Sequence, residues 1–341
     1  MTFNLSKYRS KIMGIATIFI VLCHSTFFFD NALLDDLFNI YVVQLLQFGV
    51  DIFLLVSGFG CYYSMKRDPS VWKFYKKRAV RILIPYILAA ALMIAYRYFV
   101  SGDELKWLLY GYSLVSFFIS GDLTAWFVPA IIVLYILFPL LYKLVNKSEV
   151  LFLIIAFSIA IFTALPLFQG IEHPMIVVNE IFFTRIPVFL IGILLGKFSI
   201  NNDSKIKCNY YLMALLFIIS LVVFTFNAKY NDVNKWAVTR VIFLPISLSF
   251  VVLMSGLFDK LNRKDKINPK NVLVFLGSIS FEVYLTHEII LVHMPEQVWN
   301  LFDGMTDPAK IAIINVIAII ASIIVSFIIS KLSGLIKKII P

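Results

Sequence analysis

Ten apolar stretches recur along this chain, near residues 12–29, 41–64, 82–100, 125–142, 150–168, 181–196, 210–227, 236–257, 272–294 and 309–330. Each comes close to the roughly twenty residues that carry an α-helix across a bilayer. Hydrocarbon offers no water to backbone N–H and C=O groups, so each run must satisfy its hydrogen bonds internally, as a helix does. The pattern predicts an all-α, polytopic transmembrane helix bundle of about ten spans. Composition agrees, with 61% hydrophobic and only 15% charged residues and a mean hydropathy of +0.91. Soluble domains hold about 45–50% apolar and about 25% charged residues. The connections are too short for a soluble domain of useful size, so residues 1–341 are expected to form a single integral-membrane domain.

The net charge of +10 does not indicate a nucleic-acid partner, because the basic residues cluster beside the apolar runs as membrane topology demands. One set of connections carries Lys7, Arg9 and Lys11, then Lys66 through Arg81, Lys143 and Lys147, Lys197 through Lys207, Lys260 through Lys270, and Lys331 through Lys338. The alternate set holds little beyond Lys106, Lys229, Lys235 and Lys310. By the positive-inside rule both termini are cytoplasmic, and the plasma membrane is the expected location. The first run has the basic leader of a signal peptide. It is longer than a usual signal core and lacks a small-x-small cleavage site, so it reads as a retained span. The segment Trp107 to Phe118 is too short to cross and is expected at the outer interface or dipping into the bundle. Cys23, Cys61 and Cys208 show no metal or redox spacing, and no metal is expected.

Ionisable groups within spans are rare, costly and usually functional. His24 lies twelve residues into its run, about 18 Å from the cytoplasmic edge and slightly past the bilayer centre. It suits a neutral imidazole in a dry cleft, acting as base or nucleophile, or an interhelical hydrogen bond that joins two spans. Asp51 follows Gly49 and precedes Ser57 and Gly58. It could orient an imidazole as the third member of a triad, or serve a structural hydrogen bond or a cation. Small neighbours of this kind allow close helix approach. His287 sits in the ninth run, between Glu282 and Glu288, at a depth near that of His24. Arg78 and Arg81, three apart, share a helix face that could fork onto phosphate, although topology and attraction to anionic membrane lipid explain the same charge. Arg185 and Arg240 near outer span ends could snorkel or face an acceptor pocket. Trp126 suits an aromatic belt, and His173 and His293 carry no signal.

Several segments together resemble the membrane-bound acyltransferase 3 family. They are Met13-Gly14-Ile15-Ala16 leading to His24, Gly49-Val50-Asp51-Ile52-Phe53 through Ser57-Gly58, Arg78-x-x-Arg81 with Pro85-Tyr86, and Trp126-Phe127 with Tyr135 and Pro139. Arg185-Ile186-Pro187-Val188-Phe189 through Gly196 and Gly277 through His287 continue the series. The resemblance implies an enzyme that moves an acyl group, typically acetyl, from acyl-CoA to a hydroxyl of a carbohydrate or lipid-linked glycan. It further implies that His24 is the essential histidine, steadied by Asp51 or His287, and that Arg78 and Arg81 bind the donor. Met13 stands where the family often has a basic residue, a place that Lys11 or Arg9 could supply from the preceding turn. From the residues alone, a transporter or flippase of a lipid-linked sugar and a non-catalytic scaffold for glycan assembly stay open.

Overall fold

The computed structural model describes residues 2–25, 32–120, 122–123, 125–168, 180–201, 206–230, 235–261, 271–302 and 306–339. Its framework is helical throughout. The helices are α1 (Leu5–Cys23), α2 (Ala32–Phe38), α3 (Phe48–Arg67), α4 (Val71–Tyr96), α5 (Leu105–Gly111), α6 (Ser116–Ser120), α7 (Phe127–Lys147), α8 (Glu149–Phe168), α9 (Ile186–Asn201), α10 (Tyr210–Tyr230), α11 (Lys235–Leu261), α12 (Val272–Ser278), α13 (Ser280–Val298) and α14 (Asp307–Ile339). A two-residue antiparallel ladder pairs β1 (Thr2–Phe3) with β2 (Ile206–Lys207). His173 falls outside the described residues.

Seven helical segments are long and apolar enough to cross a membrane: Leu33–Arg67, Val71–Ser101, Phe127–Lys147, Glu180–Asn201, Tyr210–Tyr230, Val238–Leu261 and Asp307–Ile339, with Glu149–Phe162 shorter. Two of the remaining runs hold the histidines His24 and His287. Helix α1 includes Lys7, Arg9 and Lys11, and the ninth run breaks at Ile279 into α12 and α13, the latter bearing Glu282, His287 and Glu288.

Local sequence explains the helix ends. Asn4 caps α1, its Oδ1 accepting the Lys7 N–H at 3.1 Å, and Ser70 caps α4 through the Lys73 N–H at 3.4 Å. Both caps satisfy backbone donors that a helix start leaves free. In the same α3–α4 turn, Asp68 accepts the Ser70 N–H at 3.3 Å and pairs with Lys73 at 3.4 Å. The backbone bond, then the lysine, holds its carboxyl below the ordinary range.

Helix α3 is buried on nearly all sides and packs against α1, α9 and α11. Its contact with α9 is a backbone approach, because a Cβ on Gly58 would overlap the Phe189 carbonyl and one on Gly192 the Leu55 carbonyl. Small residues permit this proximity where lipid supplies no hydrophobic drive between helices. The same device joins α1 to α12, with Gly14 against the Leu273 carbonyl and Gly277 against that of Ser10. Tertiary contacts gather the basic ends on one face: Tyr8 donates to Asp259 at 3.1 Å, Tyr62 to Asn146 at 2.9 Å, and Lys197 pairs with Glu149 at 2.9 Å. The short stretch after residue 104 packs on α4 with many of its large side chains exposed. The Tyr86 hydroxyl, midway along α4, donates to the Tyr112 carbonyl.

Candidate functional site

Helix α1 stops at Cys23, and His24 is its C-terminal cap. Its side chain is exposed, where a dry position was expected. The imidazole Nδ1 lies 2.9 Å from the Ile20 carbonyl oxygen and 3.3 Å from Nε2 of His287, and the two rings meet edge-on at 4.9 Å. His287, on α13, is wholly buried. Its own Nδ1 lies 2.9 Å from the Val283 carbonyl and 3.0 Å from that of Tyr284.

These contacts fix the tautomers. A carbonyl oxygen only accepts, so Nδ1 of His287 carries the proton and its Nε2 is a bare acceptor. Nδ1 of His24 faces a carbonyl and that acceptor, so it too is protonated. The basic nitrogen of His24 is therefore Nε2. Cys23 Sγ, 3.2 Å from the same Nδ1, donates to the Ile20 carbonyl at 3.2 Å.

Asp51 takes a different place from the one its position suggests. Its Oδ2 accepts from Nε of Arg185 at 3.2 Å, with side chains 0% and 2% exposed, and the guanidinium stacks over Trp126 at 5.3 Å. Among the described residues Asp51 bonds to neither imidazole. A carboxylate buried this deeply needs a cation, and Arg185 supplies it. Arg240 likewise pairs with Glu180. Both arginines are turned into the protein by these pairs, and Trp126 packs on Arg185.

A cleft of about 40 Å³ is lined by Arg9, Met13, Phe53, Ser57, Arg81, Tyr135, Ser280 and Tyr284, among others. Tyr284 connects it to the pair. Its ring stands 6.0 Å from that of His287, and its hydroxyl accepts the Phe127 N–H at 3.2 Å. Arg78 and Arg81 do not make one fork. Arg81 is exposed and lines the cleft, whereas Arg78 is buried over Phe74 and Tyr135 at 5.2 and 5.1 Å. Arg78 donates to the Gly60 carbonyl at 3.2 Å and borders a separate apolar groove between α4 and α7. Of the two basic residues before Met13, Arg9 reaches the cleft, while Lys11 lies over Phe258 at 5.2 Å.

Two histidines in contact near a cleft with two arginines fit several membrane enzymes, and the whole sequence separates them. Residues 13–331 match the family model described as the acyltransferase domain, Acyl_transf_3. The chain belongs to the acyltransferase 3 family. The match covers both histidines, Arg78, Arg81 and every span from α3 to α13. No curated protein and no solved structure is significantly similar to this acyltransferase. Sequence reasoning placed His24 and His287 at similar depth but missed the Asp51–Arg185 bond, which links residues 134 positions apart. Nothing local marks either residue as the other's partner.

Proposed function

We propose that this integral-membrane acyltransferase moves an acyl group, acetyl foremost, from acyl-CoA to a hydroxyl of a cell-surface or lipid-linked carbohydrate at the plasma membrane. The histidine pair carries the proposal. When bound, the donor supplies a thioester carbonyl open to attack and a thiol leaving group. Arg81 and its neighbours meet the phosphates at the charged face, and the hydroxyls of Ser57, Ser280 and Tyr284 line the way inward. From Ser280 to His287 the chain climbs seven residues of helix, about 10 Å.

At the upper end Nε2 of His24 takes the proton of the acceptor hydroxyl as its oxygen bonds to the thioester carbon. The C–S bond then breaks, and the proton returns from Nε2 to the departing thiolate. Between these steps the imidazolium is held through Nδ1, which donates to Ile20 and to the bare Nε2 of His287. His287 thus does for His24 what a carboxylate does in a triad, without adding a charge. Asp51 serves at a distance, by keeping α3 and the α9 segment together through Arg185.

The test is turnover of acetyl-CoA by purified protein in detergent, with an acceptor glycan present. Wild type is expected to release CoA and yield an esterified product, and His24→Ala to lose at least a hundredfold in rate. Movement of a lipid-linked sugar with no loss of acetyl from the donor would refute the enzyme and favour a transporter.

A further inference from the structure

Arg9 and Arg81 arrive from different helices, α1 and α4, and line one cleft. Each guanidinium stands in the electrostatic field of the other, with Arg78 close behind. Among the described residues neither Arg9 nor Arg81 makes a hydrogen bond or an ion pair. Glu282, on α13, lies within electrostatic range of Arg81 and is shared with Lys337 of α14. The cleft therefore collects positive charge with little to offset it.

Backbone geometry holds that charge in place. Three guanidinium atoms of Arg9 lie 3.3 Å from where a Cβ on Gly60 would stand. The absence of a side chain at Gly60 gives Arg9 its seat, while the Gly60 carbonyl engages Arg78. Arg78 is thus used twice over, by a carbonyl and by two rings, and has little left for a ligand. Arg9 and Arg81 keep their donors. Like-charged groups held together are destabilising until an anion arrives, and planar guanidinium groups suit the paired oxygens of phosphate.

We infer that Arg9 and Arg81 form a phosphate clamp at the mouth of the cleft, and that Arg78 is the bracket behind it. The clamp takes a ligand with adjoining phosphates. That this ligand is acyl-CoA rests on the function proposed above. Arg9 lies one helical turn before Met13, which lines the same cleft.

The experiment uses the full chain in detergent and three probes: inorganic pyrophosphate, acetyl-CoA, and acetyl-pantetheine, which has no phosphate. Wild type is expected to bind all three. Arg9→Gln and Arg81→Gln should each weaken pyrophosphate and acetyl-CoA about ten- to a hundredfold, with acetyl-pantetheine unchanged. Arg9→Lys, which keeps the charge and loses the fork, should fall between, and it tests the clamp should Arg9→Gln misfold. Lys338→Gln, removing an exposed charge of α14, should alter none of them. The clamp is overturned if wild type binds no pyrophosphate, if a folded Arg9→Gln keeps wild-type affinity, or if it loses all three probes equally. A loss in Lys338→Gln as large as in Arg9→Gln would also overturn it, by reducing the effect to general charge. Pyrophosphate binding that depends on Arg9, without acetyl-CoA binding, upholds the clamp and removes acyl-CoA as the donor.

Discussion

Removing one partner of the Asp51–Arg185 pair isolates a buried charge. The contact is 3.2 Å with both side chains essentially inaccessible, so Asp51→Ala leaves a guanidinium with no counter-charge, held by Trp126 and the Ile181 carbonyl. Breaking such a pair typically costs about 3–5 kcal/mol, which lowers the melting temperature of a chain this long by roughly 5–10 °C. Arg185→Met strands the carboxylate and should cost a similar amount. If the losses were independent they would sum to about 6–10 kcal/mol in the double variant. They are not independent, because Asp51→Leu with Arg185→Met replaces two charges by apolar volume in an apolar place. That exchange is often neutral or favourable, so the double variant should melt within about 1–2 kcal/mol of wild type. The assay is intrinsic tryptophan fluorescence during heating in detergent, followed by acetyl-CoA turnover on the same samples. Turnover of the double variant should stay within about tenfold of wild type, since Asp51 touches neither imidazole. A double variant as unstable as either single would refute the compensation argument. One that melts like wild type but no longer turns over would return Asp51 or Arg185 to the chemistry.

His287→Gln, whose amide oxygen can accept from His24 Nδ1, should retain more activity than His287→Ala. The expected gap is about three- to tenfold, one modest hydrogen bond, and equal rates would exclude a role for the acceptor. Gly277→Ala puts a methyl into the Ser10 carbonyl and should cost about 1–3 kcal/mol as well as slow turnover; an unchanged melting curve would contradict the packing. Asp68 has its folded pKa depressed, so its contribution is present above the unfolded value and lost as pH falls through the lower folded one. A melting-temperature difference between wild type and Asp68→Asn should therefore be seen at neutral pH and vanish in acid. A difference that persists in acid would refute the assignment.

The apolar runs made the helices legible because lipid leaves a chain few other ways to satisfy its backbone. They did not show where α1 would stop, because the change at His24 comes from a cap and not from composition. The two histidines were legible one at a time. Their contact joins residues 263 positions apart, and only packing brings them together. The arginines of α4 show a subtler limit. A spacing of three places both on one side of the helix, but the line between cleft and groove passes between them. Arg78 turns toward α7 and the Gly60 carbonyl, and Arg81 toward the opening. Arg9 looked like a topology signal because its partner, a glycine on another helix, leaves no chemical trace in sequence.

The glycine crossing of α1 and α12 has a mechanical consequence. Gly14 precedes His24 by ten residues, and Gly277 precedes His287 by ten as well. On α1 the ring rides at the end of an arm about 15 Å long, and on the other side the chain turns at Ile279 before α13 carries its ring, both starting from one point where backbone meets backbone. A relative swing of about 4° there would part the nitrogens by about 1 Å, enough to lose a contact of 3.3 Å. Alignment of the two imidazoles is thereby entrusted to a spot with no side chains, and substitutions there would disturb the histidine contact without altering either ring.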